Sequence, residues 1–358
     1  MSDVRRFTVP GRVNLIGEHL DYNGGPVLPM TIDRHVVVKA RRRDDQDVHV
    51  WSDAGRASFP TAVEPGDVTG WAALVAGVVW AMRSDGHAVP GADLVIESQL
   101  PSGAGLASSA AVACGVALAL TDLSGAVLDR AQVAAIARRS ENDYLGVPSG
   151  VMDQLAVMHD GASLIDTRTG DVTPVEVAWA EAGLSLVVID TGVQHAIGAG
   201  AYAERHDECR RAAEAAGVDD LADITLDGMY RIDDEVLRCR ARHVLTETAR
   251  VRASVRTLAS HDWPQLGTAL TASHASLRDD FAVSSPELDV AVETALEAGA
   301  LGARMTGFGF GGSVIALAPT DRLLVLRETV QAGFAGRGWK PPTLFTVRTS
   351  PGADLTVS

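Results

Sequence analysis

A chain of 358 residues, 46% of them hydrophobic and 22% charged, is long enough for a sizeable core and for two domains or one large one. Its net charge of −15 argues against a nucleic-acid surface, which needs clustered cations. Only two of the 31 cationic residues are lysines, Lys39 and Lys340. Neither lies in a GxxxxGK[ST] or VAIK-like stretch, so P-loop and protein-kinase mechanisms lack a required part and cationic catalysis falls to arginine. Three cysteines, Cys114, Cys209 and Cys239, are far apart and show no CxxC or Cys/His spacing, which excludes a disulfide framework or zinc site from the expectation. Free thiols, an N-terminus without a signal-peptide apolar region, and apolar runs too short for a bilayer (71–82 and 110–120) point to a cytoplasmic protein with no membrane partner.

In chain order, 7–10 is a short strand candidate. It runs into GRVNLIGEHLDYNGGPVLPM (11–30), where Arg12, Asn14, Glu18, His19, Asp21, Tyr22 and Asn23 are interleaved with Leu15, Ile16, Val27 and Leu28. Its prolines and glycines make a helix or long strand unexpected. The interleaved apolar residues suit a stretch whose polar groups are held in fixed positions, as a site needs. Residues 36–41 and 48–51 read as neighbouring strands, and 70–82 as an apolar helix in which Trp71 is most simply a core residue.

Next comes PSGAGLASSA (101–110), between a strand candidate (93–98) and a buried-type helix (107–120). A strand, a glycine turn and a helix start present free N–H groups and the positive end of the helix dipole, which suits an anion. An ordinary tight turn is the plain alternative. Residues 128–144 read as an amphipathic helix with Glu141 near its end, where an acid is slightly unfavourable. A surface salt bridge or a metal ligand each account for it. Ser149 is placed to cap a new helix through 158, with Asp153 in its first turn. That position favours the ionised carboxylate and limits its strength as a proton acceptor.

Residues 184–190 are a buried-type strand that opens a second half. Helical patterns follow at 202–216, 235–258 and 266–280, and Ser285 with Pro286 starts another. Gly307, Gly309 and Gly312 satisfy GxGxxG, but 313–318 reads as a strand where a dinucleotide fold requires a helix, so a closely packed glycine hairpin fits better.

Three of these stretches, GRVNLIGEHLDYNGG, PSGAGLASSA and MTGFGFGG, resemble in order and spacing the three motifs of the GHMP small-molecule kinases. The first, with SGVMDQ (149–154), RARHVLTE (240–247) and SHASLRDDF (273–281), is similar to the galactokinase family specifically. The resemblance implies a two-domain α+β fold. An N-terminal mixed-sheet domain (1–178) would carry the phosphate loop, and a ferredoxin-like α+β domain (179–358) would follow, with the active site in the cleft between them. It implies transfer of phosphate from ATP to the anomeric hydroxyl of D-galactose, with Mg²⁺. Carried over by motif, Arg12 and Asp153 face the transferred phosphate. Glu18, His19, Asp21, the Gly150 backbone and Tyr202 bind the sugar. Gly103, Ala104, Gly105, Leu106, Ala107, Ser108 and Ser109 cradle the ATP phosphates, Trp71 lies near the adenine, and Ser109 and Glu141 hold the metal. Leu20, Ala107, Phe308 and Ser313 depart from the common family residues, and Phe308 puts a large ring into the third glycine motif. A kinase for a related sugar and a non-catalytic sugar- and ATP-binding regulator are the competing readings. Small-molecule substrates and a monomer are expected.

Overall fold

The computed structural model describes residues 4–194 and 198–356. In chain order the first half comprises β1 (Arg5–Ile16), β2 (Leu28–Arg42), β3 (Asp47–Ser52), β4 (Gly55–Pro60), α1 (Ala73–Ser84), β5 (Ala92–Ser98), α2 (Ser108–Ser124), α3 (Arg130–Arg139), α4 (Met152–Met158), β6 (Ala162–Ile165) and β7 (Val172–Val175). The second comprises β8 (Leu184–Gln194), α5 (Gly198–Ala216), α6 (Leu226–Tyr230), α7 (Glu235–Ala259), α8 (Trp263–Asp279), α9 (Pro286–Glu297), β9 (Gly302–Thr306), β10 (Gly311–Pro319), α10 (Leu323–Ala335), β11 (Thr343–Val347) and β12 (Asp354–Thr356).

Two sheets organise these elements. An eight-stranded mixed sheet runs β12-β1-β2-β5-β3-β4, with β6 and β7 joined through β2. All its pairs are antiparallel except β3 with β5. A four-stranded antiparallel sheet runs β11-β8-β10-β9. This is the expected α+β architecture with a mixed first sheet. Helix α2 lies on β1 and β2, and small residues let it approach closely. A Cβ on Gly115 would meet Val38 Cγ2 at 2.8 Å.

Four local expectations are corrected. Strand β1 continues through Gly11 to Ile16, because register shifts at Pro10/Arg12 and Asn14/Ile16 absorb the proline and glycine within a paired strand. Only the turn after it is irregular. Strands β2 and β3 are not neighbours, since β5 lies between them. The helix expected over 128–144 is α3, started by an Asp129–Gln132 capping box, followed by a π turn at Ser140–Tyr144. Ser149 caps no helix: α4 starts after Val151 without a side-chain cap, and the Ser149 hydroxyl bonds Asn142 and Glu141 instead.

Candidate active site

The stretch 103–107 is a left-handed-rich turn feeding α2. Gly105 has φ +73°, and Ala107, the residue before α2, is itself left-handed at φ +59° with no side-chain cap. The first N–H groups of α2 are therefore left without an intrahelical acceptor, as an anion site requires. The turn is pressed against the tip of the β9–β10 hairpin. A Cβ on Gly105 would come within 2.8 Å of the Thr306 carbonyl, and one on Gly307 within 3.0 Å of Gly105 Cα. The glycine hairpin read from 307–312 is thus packed on the 103–107 turn itself. Ser108 and Ser109 open α2, the first half-buried and the second exposed. The lysines lie elsewhere: Lys39 pairs with Glu97 at 2.6 Å, and Lys340 is exposed.

Arg12, 3% exposed, connects this loop to the start of α4. Its Nε donates to Asp153 Oδ1 at 2.9 Å and its Nη2 lies 2.6 Å from the same oxygen, while Nη1 donates to the Gly105 carbonyl. Its backbone N–H donates to the Leu106 carbonyl at 3.1 Å. The planar fork spans two partners in a way that a lysine cannot. Asp153 keeps about a third of its side chain exposed (30%), although Arg12 does not.

The turn after β1 gathers the other candidates. Glu18 is buried, and its oxygens are taken by Asn14 Nδ2 (2.6 Å), Arg304 Nη2 (2.6 Å), Gly307 N–H (2.8 Å) and the Thr306 hydroxyl (3.2 Å). Burial raises its carboxyl above the ordinary range, with Arg304 and the Gly307 N–H acting the other way. A carboxylate offers about four acceptor sites, so a sugar hydroxyl would share or replace one of these donors. His19 adopts φ +64° and its Nδ1 pairs with the Tyr22 hydroxyl at 3.0 Å. Its ring lies near the Phe308 carbonyl, and its buried Nε2 has no well-formed hydrogen bond. Burial, then His243 and Arg304, lower the His19 imidazole to about 3, so it is neutral at pH 7.

Asp21 sits against Gly150, where a Cβ would fall 1.8 Å from its Oδ2. Burial and the neighbouring Asp153 raise the Asp21 carboxyl to about 7. Tyr202, on α5, stands 6.0 Å from the His19 ring and 5.8 Å from Tyr22. Its phenol is pushed well up by burial and then by Asp21, Asp153 and Glu141, which places all three acids around it.

Glu141 is buried in the π turn, and this removes the surface salt bridge as its explanation. Its Oε2 accepts from Gln154 Nε2 (2.7 Å) and the Ser149 hydroxyl (3.2 Å), and the Ser109 hydroxyl also bonds it. Burial raises its carboxyl. These bonding partners are neutral, so a buried carboxylate faces the start of α2 with room for a cation in its charge balance. Among the described residues no three His, Cys, Asp or Glu side chains converge as a metal cage.

Trp71 stands apart, half-buried against the core in the one-turn 3₁₀ helix Gly70–Ala72 and beside Gly55. Phe308 does enter the site region. Its ring is 47% exposed at the hairpin tip, edge-on to Tyr202 at 6.1 Å. Leu20 is buried core, and a Cβ on Gly25 would touch it at 2.9 Å. Asn14, one of the polar groups of the 11–30 stretch, binds Glu18, and residues that bind the site groups without a role expected of them are Gln154, Arg304, Thr306, His243 and Glu247. The available signal was a charged residue inside an apolar strand (Arg304) and a His–Glu pair four apart on one helix face (His243, Glu247).

The chain matches three family profiles: the galactokinase galactose-binding signature over 2–42, the GHMP kinases N terminal domain over 73–161, and the GHMP kinases C terminal over 254–335. It is 42% identical over 355 residues to a galactokinase of Mycobacterium tuberculosis, covering 97% of this chain and 98% of that protein. It is 43% identical over 363 residues to one of Streptomyces coelicolor, covering 98% and 94%. The structure superposes on Lactococcus lactis galactokinase complexed with galactose with TM-score 0.91 and 32% identity, over 99% of this chain and 95% of that one. A mevalonate kinase at 16% identity and TM-score 0.72 shares the fold alone. With the 103–107 turn, the Arg12–Asp153 pair and the turn after β1 in contact with one another, and with this identity over nearly its whole length, the chain belongs to the galactokinase family of the GHMP kinases.

Proposed function

We propose that this chain phosphorylates the anomeric hydroxyl of D-galactose with ATP, giving galactose 1-phosphate and ADP. The observation that carries the reading is the Arg12 fork, which bonds Asp153 on the sugar side and the Gly105 carbonyl on the phosphate side. Phosphoryl transfer rests on positioning and charge stabilisation, and one arginine here holds both partners in register. The loop N–H groups and the α2 dipole bind the phosphates without a lysine, and Arg12 meets the charge on the transferring group. Asp153 orients the anomeric hydroxyl through the oxygen not engaged by Arg12, and the proton either passes to Asp153 in the transition state or leaves late with the phosphate. His19 Nε2, Asp21, Glu18, Tyr202 and the Gly150 backbone bind the sugar hydroxyls, and Trp71 borders the nucleotide.

Ser109 and Glu141 would hold Mg²⁺. Oxygen donors and a buried carboxylate with neutral protein partners suit that ion, which takes its remaining ligands from water and substrate phosphates. When bound, Mg²⁺ supplies charge neutralisation at the phosphates. Free Cys114, Cys209 and Cys239 fit a reducing cytoplasm, and we expect a monomer, to be checked by light scattering on the purified chain.

Coupled ADP release across a sugar panel tests the reading. The expected result is the highest kcat/KM on galactose. Higher activity on arabinose or N-acetylgalactosamine reassigns the substrate, and tight galactose binding without ADP release reassigns the chain as a regulator.

A further inference from the structure

The stretches RARHVLTE and SHASLRDDF are otherwise unexplained by the proposed chemistry. The structure places them on α7 and α8, behind the turn that carries Glu18 and His19. Glu247 of α7 is wholly buried. Its Oε1 accepts from the Gly17 backbone N–H at 2.9 Å and from the Ser273 hydroxyl at 2.7 Å, and its Oε2 accepts from Arg250 Nε at 2.7 Å. His243, one turn earlier on the same face and also buried, places Nε2 3.1 Å from the Glu18 carbonyl and Nδ1 2.9 Å from the Ser276 hydroxyl. A carbonyl only accepts, so Nε2 carries the proton and donates. Burial lowers this imidazole to about 4, so it is neutral at pH 7. Burial works to raise the Glu247 carboxyl, but Arg250, His243 and Arg304 outweigh it and hold it at about 2.

Two successive residues of the sugar turn are thus bonded through their main chain by two side chains of one helix. The approach is close. A Cβ on Gly17, at φ +108°, would meet Val251 Cγ2 of α7 at 3.0 Å. From the other side Arg304 of β9 donates to the Asn14 and Leu15 carbonyls at 3.0 and 3.2 Å. His19 follows immediately in a left-handed conformation that costs a non-glycine residue energy and persists only where its surroundings fix it.

We propose that Glu247 and His243 are positioning residues for sugar recognition: by holding Gly17 N–H and the Glu18 carbonyl they set the orientation in which the His19 imidazole meets the acceptor. The role rests on the galactokinase reading for the identity of that acceptor and on geometry for the rest. Neither side chain touches the substrate. The pair also makes the C-terminal half a determinant of a sugar site whose ligands lie mostly in the N-terminal half.

The test uses His243→Gln and His243→Asn in the full chain. The glutamine amide reaches the place of Nε2 and retains the bond to Glu18, whereas the asparagine amide reaches only the place of Nδ1. Galactose KM is expected to rise at least tenfold in His243→Asn and to stay within threefold in His243→Gln, with kcat and the ATP KM within threefold in both. A second readout is deuterium exchange of the peptide covering 15–22. It is expected to be about tenfold faster in His243→Asn and in Glu247→Ala than in the unmodified chain or His243→Gln, with the 108–124 peptide unchanged. Loss of galactose turnover by the unmodified chain would remove the kinase reading, and the exchange experiment then still decides the positioning role. Equal galactose KM values for the two His243 variants, or unchanged exchange over 15–22 in His243→Asn, overturns the inference.

Discussion

Gly150→Ala is the sharpest single test of the proposed sugar site. The added methyl would lie 1.8 Å from Asp21 Oδ2, 2.2 Å from its Cγ and 2.9 Å from its Cβ. A carbon–oxygen contact needs about 3.3 Å, so the Asp21 carboxylate must move by roughly 1.5 Å. A 1 Å misplacement of a substrate-orienting group costs on the order of 10²-fold, which corresponds to ~2.7 kcal/mol of transition-state stabilisation. We therefore expect kcat/KM for galactose to fall about 10²-fold, with the ATP KM within threefold. The coupled ADP-release assay, run across galactose and then ATP concentrations, measures both. Asp21→Gly supplies the control, because it removes the Cβ at 2.9 Å together with the carboxylate. With both gone, Gly150→Ala adds little, so the double variant matches Asp21→Gly alone and the effects are non-additive. A Gly150→Ala enzyme within threefold of the unmodified chain, or effects that add, refutes the argument.

Three further outcomes follow from the same geometry. Asp153→Asn retains an oxygen for Arg12 but no longer accepts a proton; turnover is expected to fall by ~10³-fold, within the range for a positioned base, while calorimetry shows galactose binding preserved. Near-normal turnover removes Asp153 from the chemistry. Asp21 is raised to about 7 when folded against 3.8 as its ordinary value, so the folded state holds the proton longer. Its contribution is present below about pH 4 and is lost as pH rises to about 7. Asp21→Asn should therefore gain Tm relative to the unmodified chain between pH 5 and pH 8, and a pH-independent difference contradicts the assignment. Glu141→Gln keeps neutral hydrogen-bonding atoms near Ser149 and Gln154 but loses the charge. Half-saturating Mg²⁺ in a turnover assay is expected to rise by about tenfold or more, and an unchanged Mg²⁺ requirement places the metal elsewhere.

Local signals carried the glycine turn at 103–107 and the apolar helix after it, because both are written within twenty residues. The Ser285 cap with Pro286 was equally local, and the structure has the Ser285 hydroxyl accepting from Leu288 N–H. Pairing was less legible. Nothing in β2 or β3 says that β5 is to be inserted between them, since strand order is fixed by contacts distant in sequence. The continuation of β1 through Pro10 and Gly11 depended on bulges, which are tertiary events. Glu141 left two readings open for a related reason. Its helical position suggests surface, and only the π turn directs it inward to Ser109 and Gln154. Arg304, His243 and Glu247 act across 225 to 290 positions of sequence on the sugar turn, a separation at which spacing carries no information.

The last strand bears on synthesis as well as on the finished fold. Strand β12 pairs with β1 at the edge of the first sheet, and nearby the Gly161 N–H donates to the Ser350 carbonyl and the Ala353 N–H to the Val157 carbonyl. The N-terminal sheet therefore receives one of its edges only after residue 356 has left the ribosome. Until then β1 presents an unpaired edge next to the phosphate loop, open to strands of other nascent chains. Fusions or truncations at this end therefore act on the edge of the N-terminal sheet, and deletion of 350–356 is expected to lower the soluble yield on expression.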